Sequence, residues 1–212
     1  MAKITQGILG PVSGKVGNVV GGSWKGVDYV RGYIIPANPK TSLQTENRDK
    51  FAEIVRLSKA MLSSLLRSYY ADIIAGLPTT AFAKNIAYNQ KQMTSATDYE
   101  NFSLMPQNQC WVSDIDASYD AGTVTVSWVD EDTSYKDAIP VLAFVAPSQT
   151  CPVRVITTTA KIEDETEFVL VDWLPKSTKF YPILCFKYTE AATGVITWSG
   201  AVNLGEFTTP AV

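Results

Sequence analysis

Histidine is absent from all 212 residues. Its absence removes the side chain that titrates near neutrality, and with it the commonest general base, the imidazole triads and most zinc or iron sites. Cysteine is scarce too. Cys110, Cys151 and Cys185 are far apart, odd in number and without a CxxC pair, so buried reduced thiols are expected rather than a disulfide framework or metal centre. No stretch reaches the roughly 20 apolar residues that span a bilayer. The start, Met1-Ala2-Lys3-Ile4-Thr5-Gln6-Gly7, has no apolar secretory core. The expectation is a chain made in the cytoplasm with no membrane partner. Charged residues are also sparse, at 18% against roughly 25% in ordinary soluble domains. The hydrophobic share of 46% is nevertheless ample for a core, a balance that fits β-structure with much of its surface covered by partners.

What could replace histidine chemistry is weak. Gly10-Pro11-Val12-Ser13-Gly14-Lys15-Val16 looks like a phosphate loop only superficially, with one residue too few between its glycines and Val16 where a hydroxyl must meet magnesium. Asp130-Glu131-Asp132 and Glu163-Asp164-Glu165 offer carboxylates for calcium or acid–base work, but both sit beside strand-like runs where solvated turns are commonplace. The chain is read as a non-enzyme with no cofactor and no metal site.

Charge is unevenly spread. Residues 1–60 hold nine Lys and Arg against four Asp and Glu, a net +5, whereas residues 110–212 hold six against fourteen, a net −8. A basic front and an acidic back can steer copies of the chain together head to tail.

Three segments follow from the patterning, with an α+β fold as the outcome. Residues 1–40 form an extended arm, with two short extended pieces between Lys15 and Arg31 joined by a glycine turn as a β-hairpin. A lone hairpin is marginal in water and must lean on something else. Pro36-Ala37-Asn38-Pro39-Lys40 is a stiff connector.

Residues 41–97 read as helical. Thr41 caps a long helix from about Ser42 to Leu66, continuing as far as Ala75, with Gln44 completing the cap pattern. Leu43, Phe51, Ile54, Val55, Met61, Leu62, Leu65 and Leu66 recur at helical spacing. A shorter helix from Thr80 to Gln92 turns Phe82, Ile86, Ala87 and Tyr88 inward.

In residues 98–212 the period changes to two. Short runs at Asn101–Leu104, Trp111–Ile115, Thr123–Val129, Ile139–Val145, Val153–Thr158, Glu167–Val171, Lys179–Tyr188 and Val195–Leu204 are separated by turns such as Asp120-Ala121-Gly122 and Ala192-Thr193-Gly194. That spacing predicts an immunoglobulin-like antiparallel β-sandwich, with Val124, Val126 and Trp128 on one face and Trp128 in the core.

The run Ser13-Gly14-Lys15-Val16-Gly17-Asn18-Val19-Val20-Gly21, then Trp24-Lys25-Gly26, Tyr29-Val30-Arg31, Asn38-Pro39-Lys40-Thr41, Gln44, Arg48 and Phe51, resembles an uncharacterised family of Bacteroides-group bacteria and their phages. More loosely, the same order resembles amino-terminal segments of phage and prophage structural proteins. The resemblance covers roughly residues 7–51 and implies a virion context without a mechanism, leaving head, neck and tail all open.

Physically, such a segment suits a docking arm. Its glycines permit close backbone approach, Trp24 and Tyr29 are anchors of the kind that dominate interfaces, and Arg31 or Arg48 can fork onto a carboxylate. The candidate partner-binding residues are Lys15, Trp24, Lys25, Tyr29, Arg31, Asn38 and Arg48. Other virion proteins and copies of the chain are the expected partners. Nucleic acid is disfavoured because the cation density is low for tracking a phosphate backbone. A different class of function is a binding module whose sandwich grips a carbohydrate or cell-surface protein, with Trp173, Trp198 or Tyr181 as an aromatic platform.

Overall fold

A computed structural model describes residues 3–4, 11–104, 109–120, 123–130, 133–147, 153–158, 161–162, 166–169 and 176–209. Cys151, the acidic residues Glu131, Asp132 and 163–165, Trp173 and the turn residues 121–122 lie outside them. The chain divides into two compact units, Met1–Thr41 and Ser42–Val212.

The first unit is a four-stranded antiparallel meander of β1 (Lys3–Ile4), β2 (Val12–Val16), β3 (Val19–Trp24) and β4 (Val27–Gly32), paired in chain order. The expected two-piece hairpin between Lys15 and Arg31 is therefore three strands of a larger sheet, with β4 at its edge. Two-residue loops make both central turns, since Val16 pairs with Val19 and Trp24 with Val27. Gly17 at φ +59° opens the first, while Lys25 and Gly26 at φ +50° and +82° form the second. Left-handed loop residues match the right-handed twist of the flanking strands, which explains the Lys-Gly pair.

The second unit has three layers. Its helical layer begins with α1 (Ser42–Met61), passes through a π-helical turn at Leu62–Leu66, and continues as α2 (Arg67–Tyr69) and α3 (Ala71–Ile74). Gly76 at φ +73° ends the run, and α4 (Ala81–Gln92) follows. The Thr80 hydroxyl caps α4 by accepting from the Ala83 N–H at 3.2 Å. The π turn re-phases the helix, so that the adjacent pairs Leu65–Leu66 and Tyr69–Tyr70 all reach the core.

Strands β5 (Val112–Asp120), β6 (Thr123–Asp130) and β9 (Thr166–Val169) make one sheet in the order β5-β6-β9. The other runs β11-β10-β7-β8, from β7 (Ile139–Val145), β8 (Val153–Thr157), β10 (Lys179–Thr189) and β11 (Ile196–Trp198), with β12 (Val202–Asn203) and β13 (Phe207–Thr208) also pairing with β10. Three strands facing four, with the chain switching sheets between β6 and β7 and twice more around β9, is an immunoglobulin-like sandwich. The fold class is the one the patterning predicts.

The central strands are buried on both faces. Leu142 and Phe144 of β7, with Phe180, Leu184 and Phe186 of β10, meet Val124 and Val126 across the sandwich. Alternate residues Val141, Ala143, Val145, Ile183 and Cys185 face Ile54, Leu57, Met61, Leu65 and Leu66 of the helical layer. Helices and sandwich thus share a core within one unit, because a two-sided strand needs cover on both sides. Trp128 is half-buried, its indole N–H donating to the Ile162 carbonyl at 2.6 Å and its ring edge-on to Phe186.

Several expectations need correction. Asn101–Leu104 is not a strand but a loop that sinks Phe102 and Leu104 into the helix-side core. In α4 the buried residues are Ala81, Asn85 and Asn89, with Phe82, Ile86 and Tyr88 half-buried and Ala87 exposed. Periodicity missed this face because two of its members are asparagines, tolerated inside by full hydrogen bonding. In α1, Leu43 and Phe51 are exposed rather than packed, since the first turns of the helix are uncovered and burial begins at Ile54.

Candidate interaction surface

Among residues 11–41 only Gly21 is buried. Register divides the side chains between two unlike faces, because paired residues share a side and alternate residues change it.

One face carries Val16, Val19, Gly21 and Val30. Gly14 at φ +100° breaks the regularity of β2, and Val12 closes over Gly21. A methyl group on Gly21 would lie 1.9 Å from the Val12 carbonyl oxygen, so only glycine allows this approach. The result is an apolar groove of about 270 Å³ lined by Val12, Val16, Val19, Gly21 and Val30.

The opposite face carries Lys15, Val20, Gly22, Trp24, Val27, Tyr29 and Arg31. Tyr29 lies across Gly22, where an added methyl would come within 3.0 Å of the phenol oxygen. The Lys15 ammonium sits 3.6 Å over the Tyr33 ring, and Lys25 stands at the adjoining turn, 6.0 Å from the Trp24 ring centre. Trp24 is 69% exposed, so its apolar area is available to whatever covers it.

Of the seven residues singled out from the sequence, Lys15, Trp24, Tyr29 and Arg31 come together on this aromatic and cationic face, with Lys25 at its end. Asn38 lies beyond the strands, in the extended segment after Gly32. Arg48 belongs to the other unit, on the exposed front of α1. The valine groove was not anticipated, nor was the exposure of Ile34 and Ile35, at 80% and 77%. The signal for both was a row of apolar residues with no polar partner row to tell inside from outside.

The second unit has a polar cleft of about 450 Å³ lined in part by Tyr99, Glu100, Lys179, Tyr181 and Glu206. Tyr99 and Tyr181 stack there with ring centres 5.4 Å apart. The Tyr99 phenol donates to Glu53 and the Tyr181 phenol to Glu206, each at 2.7 Å. Burial, and then the adjacent carboxylate, pushes both phenols well above their ordinary range, keeping them protonated donors. Lys179 and Tyr181 hold the Glu206 carboxyl below its usual value. Burial alone would raise Glu53, but hydrogen bonds from Arg56 and Tyr99 outweigh it and leave that carboxyl lowered.

The other sequence candidates are also located. Val12–Val16 of the phosphate-loop lookalike is a strand leading into another strand, without the helix whose amino terminus would hold a phosphate. Asp130 ends β6, and among the described residues no cluster of three or more Asp, Glu or Cys is placed to hold a metal ion. Cys110 is half-buried and Cys185 fully buried, both as free thiols whose ionisation burial opposes. The expected aromatic platform does not form at two of its three positions. Trp198 is buried against Tyr69, and the Tyr181 ring is covered by Tyr99. No helix among the described residues is long and apolar enough to cross a membrane.

A family model described as a family of unknown function (DUF6266) matches residues 11–169. No curated protein matches the chain.

Proposed function

The chain belongs to this family of unknown function, and we propose that it is a non-enzymatic structural subunit of a phage virion that assembles through its amino-terminal sheet. The observation that carries this reading is the sheet itself, four strands with only Gly21 buried among residues 11–41 and with Trp24, Val27, Val30, Ile34 and Ile35 exposed. Trp24 and Val27 lie on one face of the sheet and Val30 on the other, so each face offers exposed apolar side chains to a partner. Covering one such aliphatic side chain is worth about 1.5–3 kcal/mol, so a partner gains substantially by docking. The exposed front of α1, with Leu43 and Phe51, adds apolar surface in the second unit.

The looser likeness of roughly residues 7–51 to phage structural proteins and the basic-to-acidic gradient support partners that are copies of the chain and other virion proteins. The protein is then made in the host cytoplasm and resides in the particle. Mass spectrometry of purified particles tests the reading: the chain is expected among the structural proteins, and a version lacking residues 1–37 is expected to fold but stay out of the particle. Absence of the intact chain from particles overturns it.

A further inference from the structure

The two sheet edges that matter are treated differently. Strand β5, at the edge of the three-stranded sheet, is guarded in the way natural edges are, with a register shift between Ser113 and Asp116 and exposed aspartates at 114, 116 and 120. Strand β4 lies at the edge of the amino-terminal sheet and pairs without a break with β3 from Val27 to Gly32, with all six residues exposed. It has no proline and no bulge.

Its hydrogen-bonding direction follows from the turn. In a two-residue hairpin the closing pair, here Trp24 and Val27, is hydrogen-bonded, so Val27, Tyr29 and Arg31 bond inward to β3. The Tyr33 N–H donating to the Asn18 carbonyl at 2.7 Å continues the same series. Asp28, Val30 and Gly32 therefore point their N–H and C=O groups outward.

We propose that the β4 edge pairs antiparallel with β4 of a second copy of this chain, Val30 opposite Val30 across a two-fold axis, joining two amino-terminal sheets into one. The inference rests on the reading of that sheet as the assembly element and names what it assembles with. An axis normal to the sheet preserves its faces, so the aromatic and cationic face of one copy continues into that of the other. Centring on Val30 sets the outward-pointing residues against one another, Asp28 to Gly32 and Val30 to Val30, and uses all three outward groups. It also sets Arg31 of each copy directly opposite Tyr29 of the other. That is a close non-hydrogen-bonded position where a guanidinium can lie on an aromatic ring.

Neighbouring registers are worse. A centre at Arg31 opposes two cations, a centre at Asp28 opposes two carboxylates, and a centre at Tyr29 leaves Gly32 without a partner from β4. Among the self-pairings, the chemistry of the strand thus favours one register.

Cysteine trapping in the full-length chain tests this, in a background carrying Cys110→Ser and Cys151→Ser. Val30→Cys and Val27→Cys both alter exposed side chains, and circular dichroism checks that each variant folds as the parent does. In the proposed register the Cα atoms of Val30 in the two copies are about 5.5 Å apart, within the reach of a disulfide once both are substituted. The Cα atoms of Val27 in the two copies are about 20 Å apart, roughly six residues along the strand. Mild oxidation is expected to give a covalent dimer for Val30→Cys and none above the parent background for Val27→Cys. No dimer from either variant, or equal amounts from both, overturns the pairing. Particle incorporation of the intact chain decides the assembly role independently of that result.

Discussion

The Tyr70 phenol donates to Asn85 Oδ1 at 2.9 Å, and both side chains are fully buried. Asn85 also donates to the Ser58 hydroxyl at 2.8 Å and accepts from Asn89, which in turn exchanges hydrogen bonds with the backbone of Ser103. The Asn85 amide therefore ties α1, the end of α2 and α4 together, and Asn89 beside it anchors the loop that carries Phe102 inward. Removing the Asn85 amide strands a buried phenol and a buried hydroxyl at once. Asn85→Leu is expected to lower unfolding free energy by about 2–4 kcal/mol, read from urea denaturation. An unchanged midpoint would show that the network contributes nothing.

Glu53 offers a pH-dependent contribution. Burial opposes its charge, but Arg56 and Tyr99 bind the charged form and hold the carboxyl below its ordinary value in the folded chain. Such a group stabilises the fold above its unfolded pKa, about 4.3 for Glu, and loses that contribution as pH falls through the folded value. The stability difference between the parent and Glu53→Gln should be largest near neutrality and shrink towards about pH 3. A difference that stayed constant over this range would assign Glu53 no linked proton.

The sandwich was legible because period-two alternation survives where one face is wet, as in Val124 and Val126 of β6. The helical cover was less so. Strands β7 and β10 read simply as apolar runs, IPVLAFV and FYPILCF, and that pattern does not say what lies on the second face. The buried face of α4 was invisible for the opposite reason, since Asn85 and Asn89 look like solvent residues until their partners from distant positions are in place. On the amino-terminal sheet, Trp24, Tyr29, Arg31 and Lys15 could be picked as anchors from residue type. Their sharing of one face depends on the register set by two tight turns, which spacing alone does not supply.

Exposure outside any core predicts a separation between folding and assembly. Trp24→Ala with Tyr29→Ala removes large, exposed side chains from the amino-terminal sheet, of which Tyr29 packs only on Gly22 of its own sheet. Global stability should therefore change by no more than about 0.5 kcal/mol per site, whereas incorporation into particles should fall sharply. A loss of melting temperature comparable to that of a core truncation such as Phe186→Ala would show that these rings support the fold instead.

Gly21 and Gly17 separate two reasons for a glycine. At Gly17 the backbone is left-handed with nothing within 4 Å of an added methyl, so alanine costs only conformational strain, about 1–2 kcal/mol. At Gly21 the obstacle is the Val12 carbonyl at 1.9 Å, a backbone atom that no rotamer change can move aside. Gly21→Ala must push β2 away from β3, opening the groove that Val12 closes. Amide hydrogen exchange should then lose protection across β2 and β3 while β7 and β10 remain as protected as in the parent. Gly17→Ala should leave exchange in β2 far closer to the parent pattern. Equal loss from the two substitutions would mean that Val12 does not rest on Gly21 in solution and that the apolar groove is not a fixed feature of the sheet.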